Sequence, residues 1–418
     1  MRDLNSLSRV GFGTYRTSIN QPEHAEALRL ALSLGENLID TASSYLNGAS
    51  EQLIGSVIHE FDAAEIFIIS KAGYITPNQA NELGTEAQRE TVPISSAYSH
   101  CIHPDFLEQA LETSLSRIKR PFIDGYLLHN PEYQLNDPEH GPELYSRIKK
   151  AFQFYEEQVK VGKIRWYGIS SNTLPLSPEL PDTLRLEEIM KIVAELGPGH
   201  HFKFIQFPFN LIENSAYEQT WLNGKNLIDA ARSNGLVTFG NRPFNANTPG
   251  STVRLANNSV EITPEQLARG SSLMEKISET VRTRMQQAGW KEDDPRAAFL
   301  SSFFANWQQV SHLQHFEYVF REQFIPFLHQ LYENRVPDEW SDRISEMKEI
   351  YRTMALSNMN RIATAIKGQL QTQNPDTPLG DKSLQTVLCE KYLEAGIDHV
   401  LAGMRSPVYV RDFQTFFS

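Results

Sequence analysis

The chain has 418 residues and a formal net charge of −12, enough for one large α/β domain plus an accessory piece. The acidic balance argues against nucleic acid as a partner, because neutralising phosphates needs a basic face. The chain starts without a basic-then-apolar leader, no run approaches the roughly 20 apolar residues of a membrane span, and Cys101 and Cys389 are the only cysteines, so a soluble protein of a reducing compartment, the cytoplasm, is expected.

Arg9 to Tyr15 reads as a first short strand entering a Gly-rich turn, followed by a helix from Pro22 to about Leu34. Pro22 suits a first helical turn, and Ala25, Leu28, Ala31 and Leu32 give that helix one apolar face. Leu38-Ile39-Asp40 is an apolar run ending in a carboxylate, with Tyr45 one small-polar loop later. A helix opens at Ser50, a plausible N-cap, and Phe67 to Lys71 is the third strand. The Gly-, Pro- and Ser-rich stretch Ala72 to His103 reads as a long loop of the functional kind. His100 and His103 flank Cys101 there, but no further ligands accompany them and no metal is expected.

Pro104 starts a strongly amphipathic helix, and the fourth strand ends at His129 before Asn130-Pro131. A helix to Val161, a fifth strand ending at Ser170, a helix Arg185–Leu196, a sixth strand Phe204–Phe207, a helix Leu222–Ser233 and a seventh strand Leu236–Gly240 follow. An eighth strand, His399–Ala402, stands near the C-terminus after a helix from Leu384 to Ala395. Continuous apolar strands alternating with helices predict a parallel sheet covered on its faces. Eight such units predict a (β/α)8 barrel with its chemistry at the C-terminal ends of the strands. The competing doubly wound sheet needs a dinucleotide-type Gly-rich turn, and Gly11-Phe12-Gly13 lacks the third glycine and the prompt helix. Residues 1–254 and 378–418 would form the barrel. Residues 255–377, rich in helix formers and poor in strand signals, would form an inserted all-helical subdomain, serving as a lid or an oligomer contact.

Asp40, Lys71, His129, Ser170, Gln206 and Asn241 all fall at predicted strand ends. A carboxylate holds the lysine charged, the lysine beside Tyr45 favours the phenolate and eases its proton release, and a neutral histidine orients the same substrate oxygen. The set suits proton exchange with a carbonyl or alcohol oxygen. It has no Ser or Cys nucleophile, so a hydride would have to come from a cofactor.

The Asp40–Tyr45 segment, Lys71 and Leu127-Leu128-His129-Asn130-Pro131 resemble the aldo-keto reductase superfamily. Gly11-Phe12-Gly13-Thr14, Gly48-Ala49-Ser50-Glu51 and Gly162-Lys163-Ile164-Arg165 support the resemblance. It implies an NADP-dependent oxidoreductase (NAD being the alternative) acting on a small carbonyl or alcohol substrate. Tyr45 would be the general acid, Asp40 and Lys71 its tuning pair and His129 the orienting group. Gly13 and Thr14 would lie along the cofactor. Ser170 with either Ser171 or Asn172 would hold the carboxamide, Gln206 would contact the same amide, and Gly403 and Arg405 would meet the adenosine phosphate, the guanidinium fork suiting a phosphate dianion. The chain departs from the family where a ring-stacking aromatic is common, having Asn241 there, with Arg242 available to the pyrophosphate. Tyr409 and Phe413 stand near the adenine positions. Two other readings of the same barrel are a non-redox lyase or dehydratase and a cofactor-sensing, non-catalytic subunit.

Overall fold

The computed structural model describes residues 4–137, 141–248, 251–258, 260–290, 294–310, 313–373, 375 and 378–417. It divides into two compact units, Met1–Pro249 with Thr386–Ser418, and Gly250–Gln385. The first unit is a closed parallel barrel of eight strands. In chain order these are β1 (Val10–Gly13), β2 (Leu38–Asp40), β3 (Phe67–Ala72), β4 (Ile123–His129), β5 (Ile164–Ser170), β6 (Phe202–Pro208), β7 (Val237–Asn241) and β8 (His399–Gly403). Each pairs with the next, and β8 closes onto β1. The continuous apolar runs are explained by this closure, since strands of a parallel barrel are covered inside and outside.

The barrel interior is packed by Leu38, Phe67, Ile69, Leu127, Trp166, Phe204, Phe239 and Leu401, with Leu7 added from the N-terminal segment. Phe67 stacks on Trp166, and Phe204 meets Phe67 and Phe239 edge-on, the geometry that ring quadrupoles favour. Above this layer the register sets the rim. His129 is level with Ser170, and Ser170 with Gln206. Gly168 is required just below: a Cβ there would collide with the Phe204 carbonyl, at the point where the β5–β6 register shifts.

Three local expectations are corrected. Ser50 does not cap its helix, which spans Ala49–Val57 with Gly48 in the cap position at φ 89°. The Ser50 hydroxyl instead donates to the carbonyls of Thr14 (3.0 Å) and Thr17 (2.7 Å), tying the helix to the turn after β1. The helix expected from Leu222 begins at Leu227, because Asn223 and Gly224 take left-handed φ of 53° and 79° and turn the chain back between Leu222 and Lys225. The segment Ala72–His103 is ordered, with two five-residue helices and an antiparallel sheet of Tyr74–Ile75, Ser99–His100 and Val92–Pro93.

The second unit is helical over Pro264–Gln287, Pro295–Ala305, Leu313–Val319, Ile325–Leu331 and Glu339–Gln373. It has its own apolar core around Met274, Trp307, Phe320, Phe324, Trp340 and Tyr351, and the aromatic run Phe299, Phe303 and Phe304 packs into it. Among the described residues no helix is long and apolar enough to cross a membrane.

At the N-terminal end of β2 the Glu36 carboxyl is buried, accepting the Leu38 N–H at 2.8 Å, and burial pushes its pKa up to about 8. The folded chain therefore keeps a proton that the unfolded chain releases above the usual carboxylate range. Stability from this site is fully present at low pH and falls as pH rises from about 4.5 to 8. Glu36→Gln keeps the acceptor oxygen and removes the ionisation. The variant should gain about 2–4 kcal/mol near pH 8 and little near pH 5, read as a shift of the urea midpoint at the two pH values.

Candidate active site

β2 ends at Asp40 and β3 delivers Lys71 beside it. The Lys71 ammonium contacts both Asp40 carboxylate oxygens, at 2.7 and 2.9 Å. It also donates to the Thr41 carbonyl at 2.7 Å and reaches the Tyr45 hydroxyl at 3.3 Å. The lysine side chain is 0% exposed and that of Asp40 6%. Burial pulls the ammonium below its usual range and Asp40 opposes the pull.

The loop carrying Tyr45 is fixed from beneath. Ser43 gives both its N–H and its hydroxyl to the Lys71 carbonyl, each at 3.0 Å. After Tyr45 the backbone runs left-handed through Leu46, Asn47 and Gly48, at φ 47°, 55° and 89°. This is a strained path for Leu46, held only where neighbours over-determine it. Arg117 supplies one such restraint, donating to the Ser43 carbonyl (3.1 Å) and pairing with the buried Glu51 (3.2 Å), which in turn accepts the Ser70 hydroxyl at 2.7 Å. Tyr98 supplies another through its hydroxyl on Asn47 Oδ1 at 2.6 Å. Gly48 admits this arrangement, because a Cβ there would strike the Arg117 guanidinium.

His129 meets the Tyr45 ring edge-on at 6.0 Å between centroids, and the Tyr74 ring edge-on at 4.9 Å. Its pKa is driven well below 6.5 by burial, then by Lys71 and His100, which favours the neutral ring. Its backbone is fixed by a relay with a determined direction. Arg147, a donor only, bonds Gln134 Oε1 at 2.5 Å, so the Gln134 amide nitrogen donates to His100 Nδ1 at 3.0 Å. His100 Nε2–H then donates to the His129 carbonyl at 2.8 Å.

At the phenol, burial competes with the neighbouring Lys71 ammonium. Tyr45 stands well above its ordinary pKa of 10.0, through burial first and the Asp40 charge second. Lys71 does not leave the resting phenol near ionisation. The phenol is held protonated, the state a proton donor needs.

The remaining predicted residues divide. Ser170, Gln206 and Asn241 join the same network: the Ser170 hydroxyl and the Asn241 amide both donate to Gln206 Oε1, at 3.0 and 3.2 Å, while Gln206 Nε2 donates to Asp40 Oδ1 at 2.8 Å. The Ser171 oxygen accepts the N–H groups of Thr173 (3.2 Å) and Leu174 (3.1 Å), which occupies it in its own turn. Thr14 is buried, with its hydroxyl on the Asp40 carbonyl at 2.9 Å, and Gly13 lies where a Cβ would meet the Ala402 carbonyl at 3.1 Å. Arg242, at φ 53°, pairs with Glu213 at 3.0 Å. Gly403 and Arg405 are exposed at the end of β8, and Phe413 is buried against Phe244, stacked at 5.6 Å. Sequence reasoning misses Arg117, His100 and Gln134 behind these groups, and Glu51 too, although it lies inside the Gly48–Glu51 step and so carries a local signal.

The aldo/keto reductase family model matches residues 9–246. The chain belongs to the aldo/keto reductase family. Among curated aldo/keto reductases and related oxidoreductases, it is 28% identical over 165 residues to the uncharacterised oxidoreductase YqkF of Bacillus subtilis, 40% of this chain and 45% of the relative. It is 28% identical over 239 residues to the aldo-keto reductase YhdN of the same organism, 56% of this chain and 57% of the relative. The chain thus spans about half the length of these two relatives. The solved glycerol dehydrogenase AKR11B4 from Gluconobacter oxydans is 18% identical, covering 99% of this chain and 87% of its own with a TM-score of 0.50, a likeness of fold.

Proposed function

We propose that this aldo/keto reductase is a nicotinamide-dependent oxidoreductase interconverting a carbonyl and an alcohol, with NADP the favoured dinucleotide. The observation that carries the reading is Lys71 bridging the Asp40 carboxylate and the Tyr45 hydroxyl in one desolvated cluster, beside a neutral His129. The arrangement can give a proton to a carbonyl oxygen and take it back from an alcohol. Tyr45 donates it, the Lys71 charge stabilises the phenolate that results, and Asp40 keeps that charge in place. His129 Nδ1 is buried without a hydrogen-bond partner, so the ring is positioned by packing.

The residues at the rim fit a dinucleotide. Ser170 lies at the end of β5 beside Asn172, whose backbone is anchored while Ser171 is used in its own turn. Asn241 Oδ1 is buried and unpartnered, an acceptor suited to a carboxamide N–H. Arg405 is exposed on the strand end that the family resemblance assigns to the adenosine phosphate. When bound, the nicotinamide supplies the hydride. Asn172, Asn241 and Ser170 would orient its ring, and Arg405 would set the preference for a 2′-phosphate. The two free, buried cysteines accord with a reducing, cytoplasmic setting.

The test is nicotinamide absorbance with NADPH and a panel of aldehydes and ketones, and with NADP and the corresponding alcohols. Cofactor-dependent conversion of at least one pair is expected. Product formed without any absorbance change would point to a lyase, and cofactor binding with no turnover across the panel to a sensing subunit.

A further inference from the structure

Glu132 lies beyond His129 in the turn Pro131–Asn136 and is 6% exposed. The segment before it is stitched to β5 through the Asn130 N–H on the Ser170 carbonyl at 2.7 Å. Glu132 Oε1 accepts the backbone N–H of Asn172 at 2.7 Å, and the Ser171 hydroxyl and Thr173 N–H also face the carboxyl. Its second oxygen is buried without a hydrogen bond. Among the described residues no cation pairs with it, and the Tyr74 phenol faces it, itself held by Asn130 Nδ2 at 2.5 Å. A buried carboxyl that accepts a backbone N–H from a neighbouring strand end ties that loop in place.

We propose that Glu132 is a positioning residue that anchors the Ser171–Thr173 turn to the end of β4 and thereby presents Asn172 to the nicotinamide carboxamide. This rests on the nicotinamide-dependent reading above. Glu132 touches neither substrate nor cofactor; it acts through the Asn172 backbone. Burial raises its pKa to about 7, so its ionised form, the stronger acceptor, gains population across neutral pH. The turn is gripped more firmly above that point than below it.

The experiment uses the full chain and two variants, Glu132→Gln and Glu132→Ala. NADPH dissociation constants are measured by fluorescence titration from about pH 6 to 8, alongside amide hydrogen exchange of residues 170–174. Glu132→Ala should weaken NADPH binding on the order of tenfold, a loss of about one good hydrogen bond, and speed exchange at Asn172. Glu132→Gln keeps an acceptor oxygen. It should stay within about threefold of wild type at low pH and lose the tightening that wild type shows as pH rises. Glu132→Ala binding NADPH as wild type does, with unchanged exchange, would overturn the proposal. So would a pH profile of affinity identical in wild type and Glu132→Gln, which is read even where the alanine variant fails to fold. A wild type that binds no nicotinamide dinucleotide removes the parent reading, and the exchange rates then decide the anchoring role separately.

Discussion

Tyr45→Phe should lower turnover about 10³-fold, within the range of a lost general acid, while leaving the NADPH dissociation constant within about threefold and the unfolding midpoint nearly unchanged. The substitution removes one oxygen and keeps the ring. The packing of that ring against Tyr15 and His129 survives. What disappears is the only phenol hydroxyl in contact with Lys71 among the described residues. The loss should lie in kcat rather than in KM for the cofactor, since the hydroxyl acts as charge develops on the substrate oxygen. Turnover within tenfold of wild type would remove Tyr45 from the chemistry and transfer the proton to another donor. The wild-type phenol, held above pH 10, should give no acidic limb of its own in the reductive direction. An alkaline loss of rate is where its titration would show.

Asp40→Asn should cost both stability and activity. The asparagine keeps the shape and an acceptor for Gln206, but Lys71, with a fully buried side chain, loses its counter-charge. Breaking one partner out of a buried pair is expected to cost about 3–5 kcal/mol, since the remaining charge must ionise unaided or give up its proton. In the second case Lys71 becomes neutral and can no longer stabilise a phenolate, so kcat should fall at least about 10²-fold. The double variant Asp40→Asn with Lys71→Met separates the effects. It should regain most of the lost stability, because no charge is left buried, and none of the activity. Urea unfolding and steady-state rates on the three proteins measure this. A single Asp40→Asn variant as stable as wild type would show that the thermodynamic role of the pair lies elsewhere.

Much of the site is legible in the amino-acid order because a parallel barrel writes its strands as uninterrupted apolar runs and brings all their C-terminal ends to one rim. A polar residue that stops such a run, as Asp40, His129 and Ser170 do, or falls within two residues of its end, as Lys71 and Gln206 do, is thereby placed at that rim. The candidate catalytic groups and the order of the eight strands follow from that pattern. The segment Ala72–His103 escapes the same reading because its strands are two residues each. That is too short for any period to appear, and they exist only because antiparallel partners are brought to them.

What the chain by itself determined, then, was the alternation of elements, the barrel it implies and the residues at the strand ends. Tertiary structure alone decided the rest. It took Ser50 out of a cap and onto two distant carbonyls, it set Glu51, Arg117 and His100 behind the candidate catalytic groups, it placed Glu132 against the Asn172 backbone, and it desolvated the Tyr45 phenol against the pull of the neighbouring lysine. The physical reason is common to all of these. Hydrophobic period and strand-end polarity are local properties of the chain, whereas desolvation and hydrogen bonds between residues far apart in sequence depend on which atoms surround a group once the barrel has closed.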